Sequence, residues 1–189
     1  VNEGEVVVVD KIDSTGLCVS GETVYRFVRG LQSIVGYDAS GICYRVKCPV
    51  GLDVHDILLS EDQFLCVASG TNEVLWIDAL GRIVRRWKAE GEGDAWHLNC
   101  VWKEGDQLYF SAFGRFASHR DWVGKCRGLG FIFELESGRE VVTGLSGPHT
   151  PRLIDGQWVV CDSHASSLEI READGTAKTV PLGGFTRGL

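Results

Sequence analysis

The chain has 189 residues, 44% of them apolar and 24% charged, a composition suited to one globular unit with a sizeable core. Its formal net charge of −7 has the wrong sign for a nucleic-acid partner, whose phosphates call for a basic surface. No apolar run approaches membrane-spanning length, so no membrane partner is expected.

Seven cysteines, at positions 18, 43, 48, 66, 100, 126 and 161, make an odd set, and most sit inside apolar runs such as FLCVAS and WVVCDS. They read as reduced core residues rather than a disulfide framework, which points to the cytoplasm. Cys43 and Cys48 have no matching second pair, which argues against a zinc knuckle. Methionine is absent even at position 1, as in a processed or trimmed chain.

In chain order, short runs rich in Val, Ile and aromatic residues recur. The first is EVVVVDKI (5–12), with Val6–Val9 at its centre, followed by TVYRFVRG, SIVGYDAS and GICYRVK. Then come FLCVASG, EVLWIDAL and RIVRRWK, next QLYFSAFG, GFIFELES and REVVTGL, and last QWVVCDS and SLEIREAD. Turn residues separate them about every ten positions, and no stretch keeps a helical period, so the chain is read as all-β.

The runs are themselves periodic. His55, His97 and His149 each lie 14 residues before a serine, namely Ser69, Ser111 and Ser163. Gly30 matches Gly70, and Asp38 matches Asp78, at a spacing of 40. Four-stranded units repeating every 40–50 residues predict a β-propeller, because one twisted blade buries its faces only against neighbours. A single propeller domain with repeats near 13–50, 51–90, 94–145 and 146–182 follows. GGFTRGL (183–189) reads as the start of a further repeat, which leaves two readings of the four: a ring, or part of a larger one. Residues 115–128, RFASHRDWVGKCRG, break the register of the third unit and read either as a cap on a central site or as a solvated loop. An open ring would need self-association or a further chain segment to cover its edges.

WHLNCV, GLSGPHTPRL, GQWVVCDS and GGFTRGL together resemble a bacterial family of predicted β-propellers known as a domain of unknown function, some members of which carry tetratricopeptide repeats. The matching positions are His97 and Asn99, Gly144 to Ser146, Pro148 to Arg152, and Phe185, Arg187, Gly188 and Leu189. Gly147, Thr150 and Gly183 depart from the family pattern. The resemblance implies a fold and no activity. At the level of architecture alone, the chain also resembles six-bladed propellers of the gluconolactonase and lyase type, several of which hold a metal in the central channel.

Two functional readings follow. If each histidine opens the innermost strand of its blade, His55, His97 and His149 line one channel. Three imidazoles suit a divalent metal such as zinc, manganese or calcium, with His149 and Arg152 as catalytic candidates in a lyase, lactonase or hydrolase acting on an acidic small molecule or sugar acid. Asp56, Asn99, Trp96 and Arg187 are the ligand-binding candidates; Asp53 or Asp56 is expected to orient an imidazole, and the arginines to hold a carboxylate or phosphate. Alternatively, the constant His-to-Ser spacing reflects a blade-tying hydrogen bond like that of tryptophan–aspartate repeat propellers, and the channel binds a small molecule, a carbohydrate or a partner without chemistry. Trp96 and Trp122 are expected near the channel mouth, whereas Trp76, Trp87 and Trp158 read as core. No motif names a reaction, which favours the binding reading.

Overall fold

A computed structural model describes residues 11–172 and 174–189. They form four antiparallel four-stranded sheets, each taking its strands in chain order: a β-propeller arc of four blades. Blade 1 holds β1 (Ser14–Ser20), β2 (Thr23–Val28), β3 (Ser33–Asp38) and β4 (Gly41–Lys47). Blade 2 holds β5 (Val54–Ser60), β6 (Gln63–Ala68), β7 (Glu73–Ile77) and β8 (Ile83–Lys88). Blade 3 holds β9 (Leu98–Glu104), β10 (Gln107–Ala112), β11 (Gly130–Glu134) and β12 (Glu140–Leu145). Blade 4 holds β13 (Pro148–Ile154), β14 (Gln157–Asp162), β15 (Ser167–Arg171) and β16 (Ala177–Pro181). The run at Val6–Val9 lies outside the described residues.

The first strands are innermost: β1 packs beside β5, β5 beside β9 and β9 beside β13. Alternation along each strand sends one set of apolar side chains to each neighbouring blade. Phe27 and Ile34 of blade 1 meet Phe64, Cys66 and Leu75 of blade 2. Leu65, Val67 and Trp76 on the other face of blade 2 meet Phe110, Phe131 and Phe133 of blade 3. Tyr109, Ile132 and Val142 of blade 3 meet Trp158 and Val160 of blade 4. All seven cysteines are free, and five of them are buried.

Every innermost strand carries a bulge near its start, at Gly16 in β1, His55 in β5, Asn99 in β9 and Thr150-Pro151 in β13. A bulge leaves one residue out of the ladder and re-aims its side chain. Gly16 sits at φ +61°, and a Cβ there would lie 2.8 Å from the Ile57 nitrogen, so only glycine lets β1 close on β5. That bulge, within STGLCVS, breaks the apolar alternation, so the sequence pattern does not display β1 as a strand.

Blades 1, 2 and 4 join their second and third strands by a three-residue 3-10 turn ending in a left-handed residue: Gln32, Asn72 and Ser166. Blade 3 replaces that turn with the segment 113–129, which contains the insertion. Antiparallel pairing brings this end of the second strand beside the start of the first, as in the Val54–Ala68 pair. The insertion therefore lies at the end of the channel where the histidines enter.

Candidate functional site

The three histidines share a position in the repeat but not an environment. His149, buried at the start of β13, has its Nδ1 2.7 Å from the Ser163 hydroxyl and 3.1 Å from the Gly147 carbonyl. Ser163 donates in turn to the Thr186 carbonyl at 2.6 Å, which pins the segment after β16 to blade 4. Blade 2 repeats half of this scheme: Ser69 donates to the Leu98 carbonyl of blade 3, while the buried His55 Nδ1 has no partner among the described residues. In blade 3 the tie is made by Asn99, whose Oδ1 accepts from Ser111 at 2.7 Å.

His97 is bound otherwise. Its Nδ1 lies 2.9 and 3.1 Å from the two carboxylate oxygens of Asp94, and both residues are buried. Trp122 of the insertion covers the imidazole at a centroid distance of 4.2 Å, Phe113 lies at 4.4 Å, and the His55 ring lies at 4.9 Å. Phe113 separates this pair from His149, 5.4 Å away, and from His164, 5.5 Å away. Two imidazoles thus touch and the third stands across a phenyl ring; among the described residues no group of three or more His, Cys, Asp or Glu is placed to hold a metal ion. The expected three-histidine centre is not assembled, because Asp94 and Ser163 direct His97 and His149 to separate partners.

The insertion caps this end of the channel. The Asp94 carbonyl accepts from the Trp122 indole at 3.0 Å and from the Arg120 amide at 2.9 Å, and the Asp94 amide donates to His119 Nδ1 at 3.1 Å. On the other side, the Gly128 amide donates to Ser146, and the Cys126 thiol lies 3.3 Å from His164 Nδ1. Gly147 makes room for that contact, since a Cβ there would meet the His164 ring at 3.1 Å. GLSGPHTPR therefore fastens the cap, ties the blade through His149 and carries the bulge that turns Arg152 toward the channel.

Beside the histidines is a cavity of about 400 Å³, lined by His55, Asp56, Cys100, Thr150, Arg152 and Arg187 together with Ser14–Leu17 of β1 and the last two residues. Arg152 stacks over Trp102 at 4.9 Å and donates to the Pro151 carbonyl at 2.9 Å. Neither Arg152 nor Arg187 forms an ion pair with a carboxylate among the described residues. Asp56 takes amide hydrogens from Val101 and Ile57, each at 3.0 Å, and so clamps blade 2 to blade 3. Burial pushes its carboxyl up to about 6, against the pull of those amides and of Arg152. Burial, then the Arg187 charge, brings His149 down to about 3, and burial with the neighbouring His97 holds His55 below its ordinary range. Burial also pushes the Cys100 thiol up to about 12.

The remaining candidates are placed as follows. Trp96 is a core residue and not a channel contact: its indole is 4% exposed and packs against Trp87, Phe131 and Phe133. Asn99 is fully buried and spends its amide on Ser111 and the His97 carbonyl. Asp53 reaches His55 Nε2 only at 3.9 Å and pairs with Arg29 at 2.8 Å. Asp94 and Phe113 are not singled out by the sequence; the one signal for Asp94 is its place three residues before His97.

A family model described as Domain of unknown function (DUF4915) matches residues 6–189. No curated protein sequence matches the chain. Among solved structures it is similar to virginiamycin B lyase from Staphylococcus aureus, with a TM-score of 0.60 and 14% identity over 90% of this chain and 56% of that one. It is also similar to a protein of unknown function from Bacteroides caccae, with a TM-score of 0.63 and 12% identity over 96% and 73% of the two chains. A third similarity is to the calcium-binding protein regucalcin from Agrobacterium tumefaciens, with a TM-score of 0.59 and 14% identity over 88% and 58%. The chain thus spans little more than half the length of the lyase and of the calcium-binding protein, and at these identities the likeness is one of fold.

Proposed function

We propose that this chain, which belongs to the DUF4915 family of domains of unknown function, binds a small anionic molecule in its central channel. One observation carries the reading: two guanidinium groups, Arg152 and Arg187, line a cavity of about 400 Å³ without a carboxylate partner among the described residues. A guanidinium fork matches a carboxylate or phosphate, and a partly enclosed cavity strengthens the match by lowering the local dielectric. Asp56 spends its carboxylate on the backbone amides of Ile57 and Val101 and makes no hydrogen bond to either guanidinium. A carbohydrate stacked on tryptophan has less support, since Trp76, Trp96 and Trp158 are buried between blades.

The test is calorimetric titration of the purified chain with citrate, gluconate and inorganic phosphate. At least one is expected to bind. Arg152→Ala and Arg187→Ala are each expected to weaken that binding by about 10- to 100-fold, the worth of a charge-assisted hydrogen bond. No binding of any of the three, or binding indifferent to both substitutions, overturns the reading. A second reading, an enzyme acting on the same anionic class, is favoured by the carboxylate–imidazole pair of Asp94 and His97.

A further inference from the structure

We infer that Asp94 and His97 form a proton-accepting pair at the capped mouth of the channel, which activates water for hydrolysis of an ester or lactone bond in an anionic ligand. The anionic class rests on the reading of Arg152 and Arg187; the pair itself rests on its own geometry.

Asp94 is buried, and among the described residues its carboxylate has one side-chain partner, with both oxygens on His97 Nδ1. A buried carboxylate needs a donor, so Nδ1 carries the proton and the lone pair resides on Nε2. Nε2 makes no hydrogen bond among the described residues and is not among the buried polar atoms that lack a partner; it belongs to the 11% of the side chain left open. An imidazole oriented by a buried carboxylate, with its second nitrogen open, is the arrangement of a general base.

Two further features set this histidine apart. Its backbone stands at φ 49°, a left-handed conformation that non-glycine residues rarely hold and that concentrates at functional positions. The insertion, present only in this blade, binds both backbone groups of Asp94 through His119, Arg120 and Trp122. In blades 2 and 4 the residue three before the histidine is Leu52 or Ser146, so the carboxylate is not part of the repeat.

Trp122 and Phe113 lie against the imidazole, at centroid distances of 4.2 and 4.4 Å, and leave its Nε2 edge as the side of approach. Nε2 takes a proton from water as the water oxygen bonds to the carbonyl carbon of the ligand. Asp94 stays ionised and stabilises the imidazolium. The carbonyl carbon–oxygen bond to the alcohol then breaks, and the departing oxygen takes the proton from Nε2, leaving a carboxylic acid, an alcohol and the original imidazole.

The test needs no ligand and is therefore independent of anion binding. Diethyl pyrocarbonate acylates an imidazole lone pair, and the rate at each histidine is read by peptide mass spectrometry. His97 in the folded chain is expected to react several-fold faster than the exposed His164, and Asp94→Asn to remove that advantage while the far-ultraviolet spectrum is kept. Nitrogen NMR of the imidazole is expected to place the proton on Nδ1 in the unsubstituted chain, a measurement that stands even if Asp94→Asn fails to fold. A protonated Nε2, a His97 that reacts no faster than His164, or a rate unchanged by Asp94→Asn overturns the inference. If those hold while citrate, gluconate and phosphate fail to bind, the pair stands and the anionic substrate class falls.

Discussion

At the start of β13, His149 meets two demands at once: its ring is excluded from water, and its Nδ1–H has a hydroxyl and a carbonyl to satisfy. The neutral imidazole answers both, and protonation would leave a charge in the core. In the unfolded chain the same group titrates near its ordinary value of about 6.5. Between that value and about 3 the unfolded state binds the extra proton, so stability falls as pH falls through this window. His55, also held below its ordinary range, adds in the same direction. Asp56 opposes them: its carboxyl stands above its unfolded value, so its contribution is present at low pH and lost as pH rises toward about 6. Two groups outweigh one, and the melting temperature is expected to drop between pH 7 and pH 4.5. His149→Phe, which keeps the ring volume but cannot take a proton, is expected to flatten that drop while lowering stability at pH 7 by about 2 kcal/mol through the lost tie to Ser163. Equal pH slopes for the two proteins would show that His149 is not a source of the acid sensitivity.

The elements were legible from the sequence to the extent that local pattern decides them. Val-rich alternation and the Asp38–Gly41 and Asp78–Gly81 turns mark the hairpins of blades 1 and 2, and the His-to-Ser spacing marks where each first strand begins. Where a bulge interrupts alternation the pattern fails, as at Gly16 in β1. The site was legible only in part for a different reason. The spacing that aligns His55, His97 and His149 also aligns their serines, and sequence alone does not decide which partner a histidine takes. Asp94, inside GEGDAW, reads as loop; its role depends on a segment some 25 residues later folding back onto it, as in the Asp94–His119 bond. The cap makes this testable. Trp122→Ala removes both the donor to the Asp94 carbonyl and the cover over His97, and is expected to cost about 3 kcal/mol. Hydrogen exchange should then accelerate at the Arg120 amide, which is bonded to Asp94, and stay unchanged through β14 and β15. Uniform acceleration in all four blades would show that the insertion is part of the global fold and not a separable cap.

At the scale of the molecule, three blade-to-blade interfaces bury apolar faces, and two blade faces of the same kind stand at the ends of the arc. On blade 1 the row Val19, Val24, Tyr37 and Ile42 crosses all four strands on the face turned away from blade 2. Val19 is 67% exposed and Ile42 68%, whereas Phe64 and Leu75 on the matching face of blade 2 are covered by blade 1. An apolar sheet face open to water favours association, and the far face of blade 4, with Val159, Leu168 and Ile170, supplies a surface of the type that covers such a row inside the arc. The chain studied alone is therefore expected to self-associate head to tail through these two faces. Light scattering should give a mass that rises above 20.7 kDa with concentration. Val19→Lys with Ile42→Lys, both at exposed positions, should return it to that value without lowering the melting temperature, since neither side chain contributes to the core. A constant mass of 20.7 kDa at high concentration for the unsubstituted chain would show that the row is stable against water and that the arc needs no cover.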